Sequence, residues 1–247
     1  MHIVGRLNWI GELPQAARAA IEERFEYRTI QAGDLIAQAG QLSEGMYQVQ
    51  SGYIKMFADQ PDGERALLVI YMRGNCFGES TVIARRPHHH TTIAASETRL
   101  AFLSHQHFDE LYCQHPAIPE ALCRKFATAL SSMISFRETQ SQTNVGQRVA
   151  RVLYNLADVS EAPRVGNYQA IDVPFTIAEL SSFLNVTRQT VQKEITALKN
   201  RGVVFKLHGT WTVKDMAHLS SLAHQPESIS GEHGQNRPPP LVGSGMS

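Results

Sequence analysis

Asn185 lies between two apolar-periodic runs, and this junction limits the fold of the 247-residue chain more than any other feature. In FTIAELSSFLNVTRQTVQKEITALKNRGVV, residues 175 to 204, Ile177, Leu180, Phe183 and Leu184 recur at helical spacing, as do Val191, Ile195 and Leu198 beyond the junction. Asparagine tolerates the left-handed backbone conformation that lets one helix stop and another start at a steep angle. Thr187 is placed to cap the second helix. With the apolar stripe of that helix turned inward, Arg188, Gln189, Gln192, Lys193 and Thr196 remain on its outer side. Arginine can hold guanine O6 and N7 in bidentate fashion and glutamine can pair with adenine, so this face is suited to reading base edges. Six Lys or Arg against two Glu between Thr176 and Lys214 give the stretch a net +4 inside a chain of zero formal charge. A local excess of this kind favours a phosphate-facing surface. VVFKLHGTWTVKD, residues 203 to 215, reads as two strands turning at His208-Gly209-Thr210, a wing beside the second helix. The predicted DNA contacts are Thr176, Thr187, Arg188, Gln189, Thr190, Gln192, Lys193, Lys206 and His208.

Upstream the pattern is different. After a helical stretch over residues 13 to 27, Gly33, Gly40, Gly45, Gly52, Gly63, Gly74 and Gly78 fall mostly 5 to 12 residues apart between alternating segments such as MYQVQSGYIKMFA. That spacing suits a compact β sandwich or roll, and PDGE at 61 to 64 suits a hairpin turn. From Pro119 a long helix follows in which Leu122, Phe126, Ala129, Met133 and Phe136 alternate by four and three residues, a seam suited to an identical partner helix. A helix over 146 to 159 and a loop lead to the helix-turn-helix. The tail after Ala223 is rich in Pro, Gly and Ser and reads as disordered. No apolar run approaches the ~20 residues needed to span a bilayer, and no signal-peptide pattern opens the chain. Cys76, Cys113 and Cys123 form neither a CxxC pair nor an even framework. A soluble, cytoplasmic chain without membrane contact is expected.

The order of β roll, seam helix and winged helix-turn-helix, carried by GDLIAQAGQLSEGMYQVQSGYIKMF, GNCFGES, RVARVLYNLA and LNVTRQTVQKEITALKNRGVV, resembles the catabolite-activator and fumarate-nitrate-reduction regulator (CRP/FNR) family of bacterial transcription factors over about residues 13 to 215. The resemblance implies an α+β chain: an N-terminal double-stranded β-helix, jelly-roll-like, serving as a cyclic-nucleotide-binding-like sensor over 1–118, a dimerisation helix over 119–143, a winged helix-turn-helix over 144–222, and a disordered tail over 223–247. It also implies a homodimer on a two-fold symmetric site in double-stranded DNA, working with RNA polymerase, with no membrane role. Arg188, Gln189 and Lys193 fall on the family's three main base-reading positions. The middle one is glutamate in cyclic-AMP-responsive members, so the half-site is expected to depart from TGTGA at that base. Ligand at the roll is expected to act through a hinge near residues 143 to 147.

The resemblance places an effector site at FGESTVIARRPHHHTT, residues 77 to 92. Gly78 and Glu79 match the start of the family's phosphate loop, with Ser80 after them. Its Arg-Ser pair falls on His90 and Thr91, and its adenine-contacting Thr-Ser pair falls on Met133 and Ile134. An imidazole replaces a guanidinium that is always charged, so cyclic AMP should bind weakly. If His90 engages phosphate, it should do so better near pH 6 than pH 8. Arg85 and Arg86, new to this loop, suit the phosphates of a larger molecule, which favours cyclic di-GMP over cyclic AMP as a nucleotide-type effector. The run His88-His89-His90 does not by itself converge on a metal, so no metal site and no certain cofactor are expected. No nucleophile elbow, P-loop, HExxH or dinucleotide fingerprint is present, so no enzyme activity is expected. Two other readings remain open: a ligand-binding module with a degenerate DNA domain, and a heme- or redox-sensing regulator.

Overall fold

The computed structural model describes residues 3–4 and 8–224, with the side chains of all of these except 136–142. The predicted disordered tail therefore lies outside the described residues from 225 onward. The chain begins with α1 (Gln15–Glu22), β1 (Glu26–Ile30), β2 (Leu35–Ala37), β3 (Gly45–Ser51), β4 (Ile54–Asp59), β5 (Arg65–Tyr71), β6 (Cys76–Phe77), α2 (Glu79–Ala84), β7 (Thr91–Ala94) and β8 (Thr98–Ser104). The strands form two four-stranded antiparallel sheets, β1-β8-β3-β6 and β2-β7-β4-β5. Inward-facing Val49, Ile54, Leu100 and Phe102 fill the space between them, and Tyr47 stacks on Phe77 at 5.1 Å. The expected helix over 13 to 27 stops at Glu22, because Glu26 to Ile30 pair residue for residue with β8. Phe25 and Tyr27 are weak helix formers that suit a strand, and the five-residue ladder outweighs the helical pattern that precedes them. The turn between β4 and β5 closes as expected, with Gly63 at φ +82°.

After α3 (His105–Gln114) comes α4 (Ala117–Gln142), the longest helix described. It starts two residues before Pro119, which sits in its first turn, where a missing N–H is harmless. The expected seam needs a correction at its first position. Leu122 is 2% exposed and packs with Ile118, Ala121, Trp9, Phe108 and Leu111 in the chain's own core. Beyond it, Phe126, Leu130, Met133 and Ile134 are exposed and Ala129 is half-buried, while the Phe136 side chain lies outside those described. The unpartnered apolar face is therefore shorter and wider than two-in-seven counting gives.

The last part comprises α5 (Val145–Asp158), β9 (Gln169–Ala170), α6 (Ile177–Leu184), α7 (Arg188–Asn200), β10 (Val204–Leu207), β11 (Thr210–Val213) and α8 (Met216–His224). Asn144 caps α5 through a reciprocal pair with Gln147, so the chain turns sharply between α4 and α5. Helix α8 packs on α5, where the Arg151 guanidinium donates two hydrogen bonds to the Ala223 carbonyl. Buried residues of α5, α6 and α7 share one apolar cluster with Tyr53, Phe57, Leu67 and Ile70 of the roll. The two halves are thus packed together. Among the described residues, no helix is long and apolar enough to cross a membrane.

Candidate nucleic-acid interface and ligand cavity

Two short helices are built around capping side chains. Thr176 Oγ1 accepts from the Glu179 backbone N–H at 3.1 Å, and the Glu179 carboxylate in turn accepts from the Thr176 N–H at 2.8 Å. Asn185 then takes φ +52°, ψ +52°, and Thr187 Oγ1 accepts from the Thr190 N–H at 3.2 Å to start α7. Val191 and Ile195 are fully buried and Leu198 nearly so, which turns Arg188, Gln189, Gln192, Lys193 and Thr196 outward around a shallow groove. The predicted contacts on α7 therefore share one face. Thr176, Thr187 and Thr190 lie apart from that group, since their hydroxyls are engaged in the caps. In the wing, His208 (φ +48°) and Gly209 (φ +84°) alone make the turn, and Thr210 belongs to β11. Lys206 Nζ lies 4.9 Å from the Trp211 ring centre, and both Lys206 and His208 are exposed.

The β4–β5 hairpin packs against this unit. Lys55 Nζ lies 2.7 Å from Glu179 Oε1, with the two side chains only 11% and 17% exposed. Tyr53 Oη donates to Asp172 at 2.8 Å, and the Leu67 N–H donates to Ser182 Oγ at 3.1 Å. Burial, reinforced by Asp172, pushes the Tyr53 hydroxyl pKa up, so it stays a donor. At the hairpin tip Glu64 reaches to 3.9 Å from the Arg188 guanidinium. The sequence reading missed this set, because its members are joined only by folding.

A cavity of about 570 Å³ lies between the roll and α4. Gly78, Glu79, Ser80 and His90 line it, together with His88, His89 and the α4 side chains Lys125, Phe126, Ala129 and Met133. Gly78 has φ +94°, and a Cβ there would come within 3.1 Å of the Gly45 carbonyl, so glycine is required. Three predicted effector residues are not brought to the cavity. Arg85 is bound to Asp109 at 2.7 Å, Arg86 is exposed beside it, and buried Thr91 donates to Asp59 at 2.7 Å. Glu79, 3% exposed, accepts from the Trp9 indole N–H at 2.8 Å and from Lys125 Nζ at 2.5 Å. Lys125 also donates to the Cys76 carbonyl at 3.0 Å. Burial, aided by neighbouring imidazoles, lowers the pKa of His88 and of His90. The expected charging of His90 near pH 6 is therefore moved to lower pH. The Cys76 thiol is pushed up by burial and stays protonated. Among the described residues, no three His, Cys, Asp or Glu converge on a point that could hold a metal.

Comparison with known proteins bears on both sites. Residues 27–115 match the model of the cyclic nucleotide-binding domain, and residues 147–222 match that of the Crp-like helix-turn-helix domain. The chain is 26% identical over 207 residues to a cyclic AMP receptor protein of Thermus thermophilus, covering 81% of this chain and 88% of that protein. It is 24% identical over 200 residues to a CRP-like cAMP-activated global transcriptional regulator of Mycobacterium tuberculosis, covering 81% and 89%. The crystal structure of a CRP/FNR-family transcriptional regulator from Thermus thermophilus superposes with a TM-score of 0.66 at 22% identity, over 80% of this chain and 98% of that one.

Proposed function

The chain belongs to the CRP/FNR family of transcription regulators, and from that premise we propose that it acts as a homodimer that reads a two-fold symmetric DNA site under control of a ligand in the roll. The observation that carries this reading is the outward face of α7, where Arg188, Gln189, Gln192 and Lys193 share one groove. Arg188, Gln189 and Lys193 read base edges, while Thr176, Lys206 and His208 lie beside the backbone. The exposed Phe126, Leu130, Met133 and Ile134 of α4 pair with the same face of a second copy. That pairing sets two copies of α7 at the spacing of successive major grooves. Helix α4 both walls the cavity and leads into α5, so a ligand at the roll can bias where the DNA unit sits. RNA polymerase is the further partner through which such a complex regulates transcription.

The test is selection of bound sequences from a randomised duplex library by the purified full chain. Enrichment of a symmetric motif is expected. Arg188→Ala should then lose roughly 1–3 kcal/mol on the selected site and far less on random DNA. A library with no enriched motif, or equal losses on both DNAs, overturns the reading.

A further inference from the structure

Among the described residues, the charge inventory of the cavity leaves no lysine or arginine free to meet an anion. Apart from histidines, its only ionisable side chains with a formal charge among the described residues are Glu79 and Lys125, and they are spent on each other. Their side chains are 4% and 11% exposed, and the Trp9 indole closes on the same carboxylate oxygen. His88 and His90 are held neutral at pH 7 by burial, so each presents at most one N–H. Arg85 is committed to Asp109 outside the wall. A buried, unpaired phosphate would be strongly disfavoured here. Recruiting Lys125 to it would only transfer the problem, because the Glu79 carboxylate would then be buried without its cation. The rest of the wall includes Met56, Val69, Phe77, Phe126, Ala129 and Met133, which favour apolar surface. Ser80, Thr81, Thr92 and Thr128 add hydroxyls along the same wall, which suits neutral polar atoms.

We propose that this cavity takes an uncharged, largely apolar small molecule, and that the Glu79–Lys125 pair is what shuts out phosphate esters. The ligand class rests on the reading above only in treating the cavity as the effector site. At about 570 Å³ the space holds a two- or three-ring compound and not a cyclic dinucleotide with its counter-ions.

The experiment compares two probes of one skeleton with the full-length protein: neutral N-phenyl-1-naphthylamine and its sulfonate, 1-anilinonaphthalene-8-sulfonate. The neutral probe should bind at least about tenfold more tightly. Cyclic AMP and cyclic di-GMP should not displace it. Location is read by energy transfer from Trp9 in a Trp211→Phe background, which removes the other tryptophan of the two. Glu79→Gln frees Lys125 and should narrow or reverse the preference between the probes. Wild-type protein that binds the sulfonate or cyclic AMP as tightly as the neutral probe overturns the proposal, as does absence of neutral-probe binding or of transfer from Trp9. This wild-type comparison stands even if Glu79→Gln misfolds. Symmetric-site binding measured in parallel separates the two claims: a bound neutral probe that leaves DNA affinity unchanged upholds the ligand class and removes the effector role.

Discussion

Glu79 is held by an indole 70 residues before it and an ammonium 46 residues after it, so its local turn explains its position but not its state. The Gly78-Glu79 turn is legible in sequence because the requirement for positive φ is local. Trp9 and Lys125 are not, because nothing in a linear pattern says which carboxylate a distant lysine will meet. Arg85 and Arg86 misled for the same reason: Asp109 takes Arg85 outside the wall. Removing one member of a buried pair leaves the other's charge uncompensated. Lys125→Met is therefore expected to lower unfolding stability by roughly 3 kcal/mol, with Glu79→Gln in the same chain recovering most of it. Chemical denaturation of the two singles and the double measures this, and additive losses would show that the pair is not coupled. His88 and His90 make a separate prediction. Burial is the main cause of each lowered pKa; His105 adds to the effect at His88, and at His90 His89 adds while Asp59 opposes. The unfolded chain then takes up protons at higher pH than the folded one. The stability these rings contribute is complete above 6.5 and is lost as pH falls through their lowered folded values. Melting temperature should fall as pH drops below about 6.5, and His88→Gln/His90→Gln should flatten that fall. An unchanged slope would assign the acid sensitivity elsewhere.

At the level of elements, periodicity and a cap make the helix-turn-helix readable in the sequence. Asn185 and Thr187 are local signals that fix where α6 stops and α7 starts. Strand β9 was not readable, since two residues become a strand only by pairing with β11. Helix α8 was not foreseen either, and it is secured by packing against α5. The α4 register went astray at Leu122, because a heptad count cannot tell a residue facing its own roll from one facing a partner. The exposed set Phe126, Leu130, Met133 and Ile134 sharpens the dimer prediction. Leu130 is 61% exposed in the single chain, so Leu130→Glu should leave the stability of a monomer within about 0.5 kcal/mol. Across a two-fold axis, the substitution would bury two like charges near each other and disfavour pairing by several kcal/mol. Sedimentation should show a wild-type dimer and a predominantly monomeric variant. A variant that keeps the dimer mass would remove this face from the interface.

Over the whole molecule, the contacts between the DNA unit and the roll were the least legible feature, because Lys55 and Glu179 are 124 residues apart and neither stands in a motif that names the other. Their consequence follows from what they hold in place. The hairpin tip sets Glu64 beside Arg188 at the start of α7, the end that enters the groove in helix-turn-helix proteins, with Asp62 in the same turn. Two carboxylates there would repel the phosphates of an approaching duplex, so a docked hairpin is expected to oppose DNA binding at this end of α7. The Glu64–Arg188 contact is exposed on both sides and contributes little by itself. The mostly buried Lys55–Glu179 pair contributes more, of the order of 1.5–3 kcal/mol for a hydrogen bond between charged groups. Lys55→Met removes it while leaving Glu179 its reciprocal cap with Thr176. Without added ligand, DNA affinity should therefore rise, by at most the roughly ten- to hundredfold that this energy corresponds to. Tyr53→Phe, which deletes the neutral donor to Asp172, should act in the same direction by about fivefold. Fluorescence anisotropy on the selected site, with circular dichroism to verify the fold, measures both. A fall in affinity in a folded Lys55→Met protein would mean that the docked arrangement is itself the one that binds DNA.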